Sequence, residues 1–132
     1  MNYAVLADAG PLYAAVDPED SHHRRAVREM ERLDEERREI VVAYSTLLET
    51  YSLILFRLGK STATDWLIDI ADASLINPSP EDYRLAAANL RGFADQPITL
   101  FDAVAAAMAT RLRLQVWTYD HHFDLMRVPV WR

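Results

Sequence analysis

Short apolar runs alternate with longer segments of helical periodicity along this chain. The apolar runs predict strands at 3–7, 39–44, 74–78, 115–120 and 128–131. The periodic segments predict helices at 20–38, 46–58, 62–72, 80–94 and 100–113. Strands that alternate with helices usually form a parallel sheet with helices on both faces. The sequence therefore predicts an α/β fold with a central parallel sheet of about five short strands.

The chain has 132 residues, which suits a single domain over 1–132. No cysteine is present, so thiolate metal sites and cysteine nucleophiles are excluded. The 20 Asp and Glu residues outnumber the 14 Lys and Arg residues and give a net charge of −6, which argues against binding of nucleic acid by bulk charge alone. No membrane span or signal segment is evident, so we expect a cytoplasmic protein without a membrane partner.

Four acidic residues interrupt apolar surroundings: Asp8, Glu49, Asp102 and Asp120. Asp8 and Asp120 each end a predicted strand, whereas Glu49 and Asp102 fall in the first turns of predicted helices. In an open α/β sheet, ligands bind at the carboxyl ends of the strands. We therefore expect all four carboxylates to meet at this edge.

Helix capping offers another explanation for these acids. Four pairs share the capping-box spacing: Thr46 with Glu49, Thr62 with Asp65, Ser79 with Asp82, and Thr99 with Asp102. Asp8 would likewise cap a helix in the segment "GPLYAAV". The spacing of any single pair leaves both explanations open.

Convergence of the four acids favours a metal site. Clustered carboxylates without a cationic partner repel one another and take up protons, and a divalent cation relieves that repulsion. Oxygen ligands suit Mg²⁺ or Mn²⁺, which activate water for attack on a phosphodiester. A cation would also explain why a buried strand ends on Asp8.

These residues resemble a known family, the PIN-domain ribonucleases, and in particular the single-domain toxins of VapBC-type toxin–antitoxin systems. The likeness covers essentially the whole chain and is carried by strand-Asp8-Ala9-Gly10, Glu49, "ITLFDAVAAAMA" around Asp102 and "TYDHHF" around Asp120, in that order. The resemblance implies a PIN-like fold and an Mg²⁺- or Mn²⁺-dependent endoribonuclease that acts as a toxin.

The resemblance also implies roles and partners. Asp8 and Asp102 match the acids that hold the ion most directly, and Glu49 and Asp120 complete the catalytic and metal-binding set. Thr118 matches a hydroxyl that supports the last acid. The implied partners are an RNA substrate, a cognate antitoxin and a second copy of the chain in a homodimer. The predicted helix at 46–58, apolar nearly all round, fits such a partner surface, and a buried helix equally well.

Other polar residues are assigned less specific roles. Asp124 is an alternative to Asp120 if the strand ends later. The pairs His22–His23 and His121–His122 are not expected to bind the functional metal, because adjacent side chains point in different directions. Arg24, Arg25, Arg28, Arg37 and Arg38 are expected on a solvated helix face, with contact to RNA phosphate or an acidic partner as the alternative.

Two other functions fit parts of the pattern. A phosphatase with Asp8 as nucleophile needs an acid two residues on, where this chain has Gly10. A non-catalytic PIN-like protein-binding module would use the acids only as helix caps and its apolar helix to bind a partner. Metal-dependent RNA cleavage distinguishes the nuclease from this module.

Overall fold

The computed structural model describes residues 3–132, so the first two residues of the predicted domain lie outside the described residues. Its sheet contains β1 (Val5–Ala7), β2 (Ile40–Ala43), β3 (Ser74–Ile76) and β4 (Gln115–Trp117). The strands are all parallel, in the order β3-β2-β1-β4. The α/β fold and its parallel sheet are therefore confirmed, and β1, which opens the described chain, pairs with β4 near its end.

Seven helices connect and cover the strands in residues 3–132: α1 (Ala9–Val16), α2 (His23–Glu35), α3 (Tyr44–Leu58), α4 (Lys60–Ile70), α5 (Pro80–Gly92), α6 (Leu100–Leu112) and α7 (His122–Leu125). Successive β1 side chains point to opposite faces of the sheet, so Leu6 enters one apolar cluster and Val5 enters another. The first cluster packs under α5 and α6 and the second under α1 to α4. Both faces of the sheet are thus covered, as predicted.

The prediction of a fifth strand at 128–131 was wrong. This segment contributes only an isolated parallel bridge between Val116 and Val130. The Val116 amide donates to Pro129 O and the Trp131 amide donates to Val116 O, each at 2.9 Å. Pro129 has no amide hydrogen, so pairing does not extend into a ladder.

Helix α3 begins two residues before the predicted start, with Ala43 as its N-cap residue. Its buried side chains include Leu47 and Ile54, so it packs firmly against the core. On its other side Phe56 is 90% exposed and Leu48 is 62% exposed. The helix is therefore apolar nearly all round because it has one buried face and one exposed apolar face, and it is not enclosed by the domain.

Candidate active site

The four predicted acids line one open cavity of about 430 Å³ at the carboxyl edge of the sheet. Asp8 follows β1 directly, and Asp120 lies in the loop between β4 and α7. Glu49 projects from the second turn of α3, and Asp102 from the first turn of α6. Parallel strands place their carboxyl ends side by side, which is why segments far apart in sequence meet here.

Asp8 is held by the neighbouring strand end. Its amide donates to Trp117 O at 2.9 Å, which continues the β1–β4 pairing by one residue. Its buried carboxylate accepts a 2.8 Å hydrogen bond from Thr118 Oγ1, and this hydroxyl in turn accepts the Asp120 amide at 3.0 Å. Thr118 therefore links the two acids that follow β1 and β4.

Helix capping does not account for the acids. Thr46 lies inside α3 and not at its N-cap, so no capping box with Glu49 forms. Helix α4 likewise begins at Lys60, before Thr62, so Thr62 is not an N-cap residue either. Asp8 occupies the N-cap position of α1 but its side chain makes no capping hydrogen bond. These carboxylates remain available to the cavity.

Asp102 uses only half of the capping box. The Asp102 amide donates to Thr99 Oγ1 at 3.2 Å, whereas the reciprocal bond from the Thr99 amide to the Asp102 carboxylate is not formed. Both bonds are present in the pair Ser79 and Asp82, and Asp82 also binds Arg111. The structure thus separates a capping acid, Asp82, from one that faces the cavity, Asp102.

Burial and mutual repulsion raise the pKa values of three acids in the cavity. Burial is the main cause for Asp102, and the charges of Asp8 and Asp120 add to it, which raises its pKa to about 8. The same causes raise the pKa of Glu49 to about 7. Burial raises the pKa of Asp8, against the opposing effect of the Thr118 hydrogen bond. Crowded carboxylates take up protons when no cation neutralises them, and the raised pKa values express this.

A family model described as "PIN domain" matches residues 5–128. The chain belongs to the PIN domain family. The family membership predicted from the sequence motifs is therefore confirmed. A comparison with curated proteins found no match to this sequence.

Solved structures with this PIN fold include two proteins that share 18% sequence identity with the chain. One is Mycobacterium tuberculosis VapC20, a sarcin-ricin loop cleaving toxin, with a TM-score of 0.83 over 97% of this chain and 98% of that chain. The other is FitAcB from Neisseria gonorrhoeae, with a TM-score of 0.73 over 97% of this chain and 96% of that chain. VapBC2 from Rickettsia felis, solved with a DNA fragment from the promoter, has 13% identity and a TM-score of 0.71 over 98% and 97%.

The cavity of this PIN domain suits a divalent cation. Within residues 3–132, no Lys or Arg nitrogen lies within 4.0 Å of its four carboxylates. In that part of the chain Glu49 Oε1 is buried and has no hydrogen-bond partner. Carboxylate oxygens that have no Lys or Arg partner are the ligands that Mg²⁺ and Mn²⁺ prefer. The residues therefore fit the metal that the sequence motifs imply.

His122 belongs to this PIN domain's acid cluster, which sequence reasoning missed. Its buried Nδ1 lies 3.1 Å from Asp120 Oδ1 and 3.9 Å from Asp102 Oδ2. The short distance to Asp120 lacks hydrogen-bond geometry, so Nδ1 has no hydrogen-bond partner within residues 3–132. The His122 amide donates to Asp120 Oδ1 at 2.9 Å, and this turn brings the ring back to the acids. The only local signal for this turn is Asp120 itself, because an aspartate side chain readily accepts the amide two residues on.

Asp124 lies outside the acid cavity of the PIN domain. Its side chain is 53% exposed and accepts a 3.0 Å hydrogen bond from Arg132 Nη2. Strand β4 ends at Trp117, earlier than predicted, which leaves Asp120 at the cavity and carries Asp124 into α7. The geometry thus favours Asp120 over Asp124 as the fourth acid.

Proposed function

We propose that this protein is a metal-dependent endoribonuclease and the toxin of a toxin–antitoxin pair. The observation that carries the proposal is the convergence of Asp8, Glu49, Asp102 and Asp120 on one open cavity without a Lys or Arg partner within residues 3–132. PIN family membership supports nuclease chemistry at this cavity.

Each residue has a defined task in the proposed reaction. When bound, Mg²⁺ or Mn²⁺ supplies positive charge to the phosphodiester and makes water a better nucleophile. Asp8 and Asp102 would hold the ion most directly, and Glu49 and Asp120 would complete the set of acids around it. Thr118 fixes the Asp8 carboxylate through its 2.8 Å hydrogen bond. The water oxygen bonds to phosphorus as the bond from phosphorus to the leaving ribose oxygen breaks, without a covalent enzyme intermediate. The proton that the water loses is balanced by the proton that the leaving oxygen gains, so the products are a phosphate monoester and a free hydroxyl.

The toxin assignment is supported by the solved structures. VapC20 is a toxin that cleaves the sarcin-ricin loop, and VapBC2 was solved bound to a promoter fragment. By likeness to these proteins, the proposal includes an RNA substrate and a cognate antitoxin. The homodimer is proposed from the family resemblance of the sequence. No helix among residues 3–132 is both long and apolar enough to cross a membrane. Cytoplasmic location and a single domain over 1–132 stay predictions.

RNA cleavage by the purified chain, freed of any bound partner, tests the proposal. We expect cleavage with Mg²⁺ or Mn²⁺, none with a chelator, and a loss of about 100-fold or more in Asp8→Asn or Asp102→Asn. Asp124→Asn is the matched control, because this neighbouring acid lies outside the cavity and should retain full activity. Full metal-dependent cleavage by both cavity variants would reject the assignment of the site.

A protein-binding module is the second candidate. An apolar cleft of about 300 Å³ lies between α3, α5 and α6, with exposed Leu48, Leu100 and Phe101 on its walls. Such a cleft suits a partner's side chains whether or not the acids are catalytic. A folded, partner-free and metal-loaded protein that cleaves no RNA would favour this module.

A further inference from the structure

Arginines are concentrated on one half of α2. Residues 23–30 contain Arg24, Arg25 and Arg28 and a single acid, Glu29, whereas the remaining five residues contain Arg32 and three acids. The basic half begins at the helix N-terminus, whose backbone dipole adds positive potential. The protein as a whole carries a net charge of −6, so this surface differs in sign from the rest of the molecule.

Three depressions in series connect this surface to the acid cavity. The acid cavity shares Tyr119, Asp120 and His121 with a second cavity of about 170 Å³, whose wall also includes Arg25. Arg25 in turn lines a depression on α2 together with Arg28, Glu29 and Arg32. The surface formed by Arg25, Arg28 and Arg32, here named the arginine track, is therefore continuous with the candidate active site.

Arg25 is held in place by the core. Its guanidinium lies 4.3 Å from the centre of the Tyr119 ring, and its Nε lies 3.4 Å from Glu29 Oε2. The other oxygen of Glu29 accepts hydrogen bonds from the Tyr119 hydroxyl and from Trp117 Nε1. Glu29 and Tyr119 thus orient the guanidinium, whose fork of donors suits phosphate oxygens.

Arg28 provides uncompensated charge. Within residues 3–132 no carboxylate lies within 4.0 Å of it, and its side chain is exposed. Arg32 is less available, because it lies over the Trp131 ring at 4.0 Å and pairs with Glu36 at 3.1 Å. Arg25 likewise has a ring and a carboxylate as partners, so the uncompensated charge of the track lies at Arg28, and Arg25 is the residue that reaches the second cavity.

We infer that the arginine track binds the phosphate backbone of the RNA next to the bond that is cleaved. The inference rests on the proposed function and names the surface that brings a polyanion to four carboxylates. An acidic protein segment would also bind arginines, but continuity with the acid cavity favours the substrate. Contact through phosphates implies affinity for RNA with little dependence on base sequence.

Equilibrium binding of a labelled single-stranded RNA to the Asp102→Asn variant in Mg²⁺ tests the inference. Adding Arg25→Ala and Arg28→Ala should raise Kd roughly tenfold and reduce the slope of log Kd against log salt by about 1.4, as expected for two lost contacts with a single strand. The matched control removes the same charge on the other face of the sheet, with Arg84→Ala and Arg91→Ala on α5, and should leave both quantities unchanged. Arg28→Ala alone gives a variant that cannot perturb the packing of Tyr119.

Three outcomes would overturn the inference. Equal effects of the two double variants would show that only net charge matters, and no effect of either would exclude the track. Unchanged RNA affinity with weakened binding of an acidic peptide would assign the track to a protein partner. Cleavage of RNA by the wild-type protein is measured in parallel. If the wild-type protein cleaves RNA while the track variants bind RNA normally, only this inference fails. If the wild-type protein cleaves no RNA, the proposed function itself fails.

Discussion

Thr118 Oγ1 donates a 2.8 Å hydrogen bond to Asp8 Oδ2, although the two residues are 110 positions apart in the sequence. Both side chains are buried, and the same hydroxyl accepts the Asp120 amide. One hydroxyl therefore fixes the relative positions of two acids that belong to different strand ends. Loss of this hydroxyl should loosen the site without unfolding the sheet.

Replacement of this hydroxyl is the first prediction. Thr118→Val keeps the shape of the side chain but leaves Asp8 and the Asp120 amide without their shared partner. We expect metal affinity and cleavage to fall about 10- to 100-fold, the usual effect of removing a group that orients a metal ligand. Isothermal titration with Mn²⁺ measures the affinity, and Thr118→Ser should restore it. A valine variant with wild-type affinity would show that Asp8 needs no such support.

Stability of the metal-free protein should fall as pH rises. Burial and neighbouring charge raise the pKa of Asp102 to about 8 and that of Glu49 to about 7, above ordinary values of 3.8 and 4.5. Folding therefore favours the protonated forms, so their contribution is complete below about pH 4 and is lost as pH rises through about 7 and 8. Urea denaturation in a chelator, between about pH 5 and pH 8.5, measures this loss. Asp102→Asn should reduce the pH dependence, and an identical profile for that variant would contradict the prediction.

Divalent cations should reverse this loss of stability. An ion that binds only the folded state at about 100 times its Kd stabilises the protein by about 2.7 kcal/mol. We expect Mg²⁺ or Mn²⁺ to raise Tm more at about pH 8 than at about pH 6, because protons compete for the same carboxylates. Sodium chloride of equal ionic strength is the control. Asp124→Asn should keep the shift and Asp8→Asn should lose it; equal shifts in both would place the ion elsewhere.

Asp82 lies outside the acid cavity, so its replacement should change folding stability and not metal binding. It completes the capping box of α5, and the hydrogen bonds from Arg111, at 2.8 and 2.9 Å, hold its pKa below the usual value. Asp82→Ala should lower the free energy of unfolding by about 2 kcal/mol, less than for a fully buried pair because Arg111 is partly exposed. Metal affinity should not change. Denaturation and metal titration of one preparation check both expectations, and weakened metal binding would show that the two acid sites are coupled.

The proposed homodimer can be tested on α3. Phe56 is 90% exposed and lies on the same helix as exposed Leu48 and Leu55, a surface that water solvates poorly. If this surface joins two copies, Phe56→Ser should yield a monomer in sedimentation equilibrium while the melting curve of the fold is retained. A dimer that survives the substitution would place the interface away from Phe56.

The sequence predicted the positions of Asp8, Asp102 and Asp120 because they depend on local signals. An apolar run that stops at an acid, or a helix that begins after a threonine, is visible within a few residues, and parallel pairing then places the acids at one edge. Glu49 also lies in the cavity, as expected, but its place in α3 differs from the prediction. Whether Glu49 caps a helix depended on where α3 begins, and that start depends on Ala43 at the end of β2.

His122 and the segment around Pro129 show the same limit. The His122 ring reaches the acids only because a turn at Asp120 reverses the chain, which periodicity does not reveal. Pro129 in the sequence favoured an edge strand at 128–131. The number of backbone hydrogen bonds that this segment forms depends on Val116, which lies beside it in the fold. The approach of His122 to Asp102 and the single bridge between Val116 and Val130 both depend on tertiary contacts, which neither sequence neighbourhood contains.

The pairing of β1 with β4 has a consequence for biosynthesis. Asp8, Glu49 and Asp102 are all synthesised before Gln115, the first residue of β4. Until β4 docks, Asp8 lacks Thr118 and the cluster lacks its fourth carboxylate. If the proposed function holds, a polypeptide that stops before β4 should therefore cleave no RNA, because its acid cluster is incomplete.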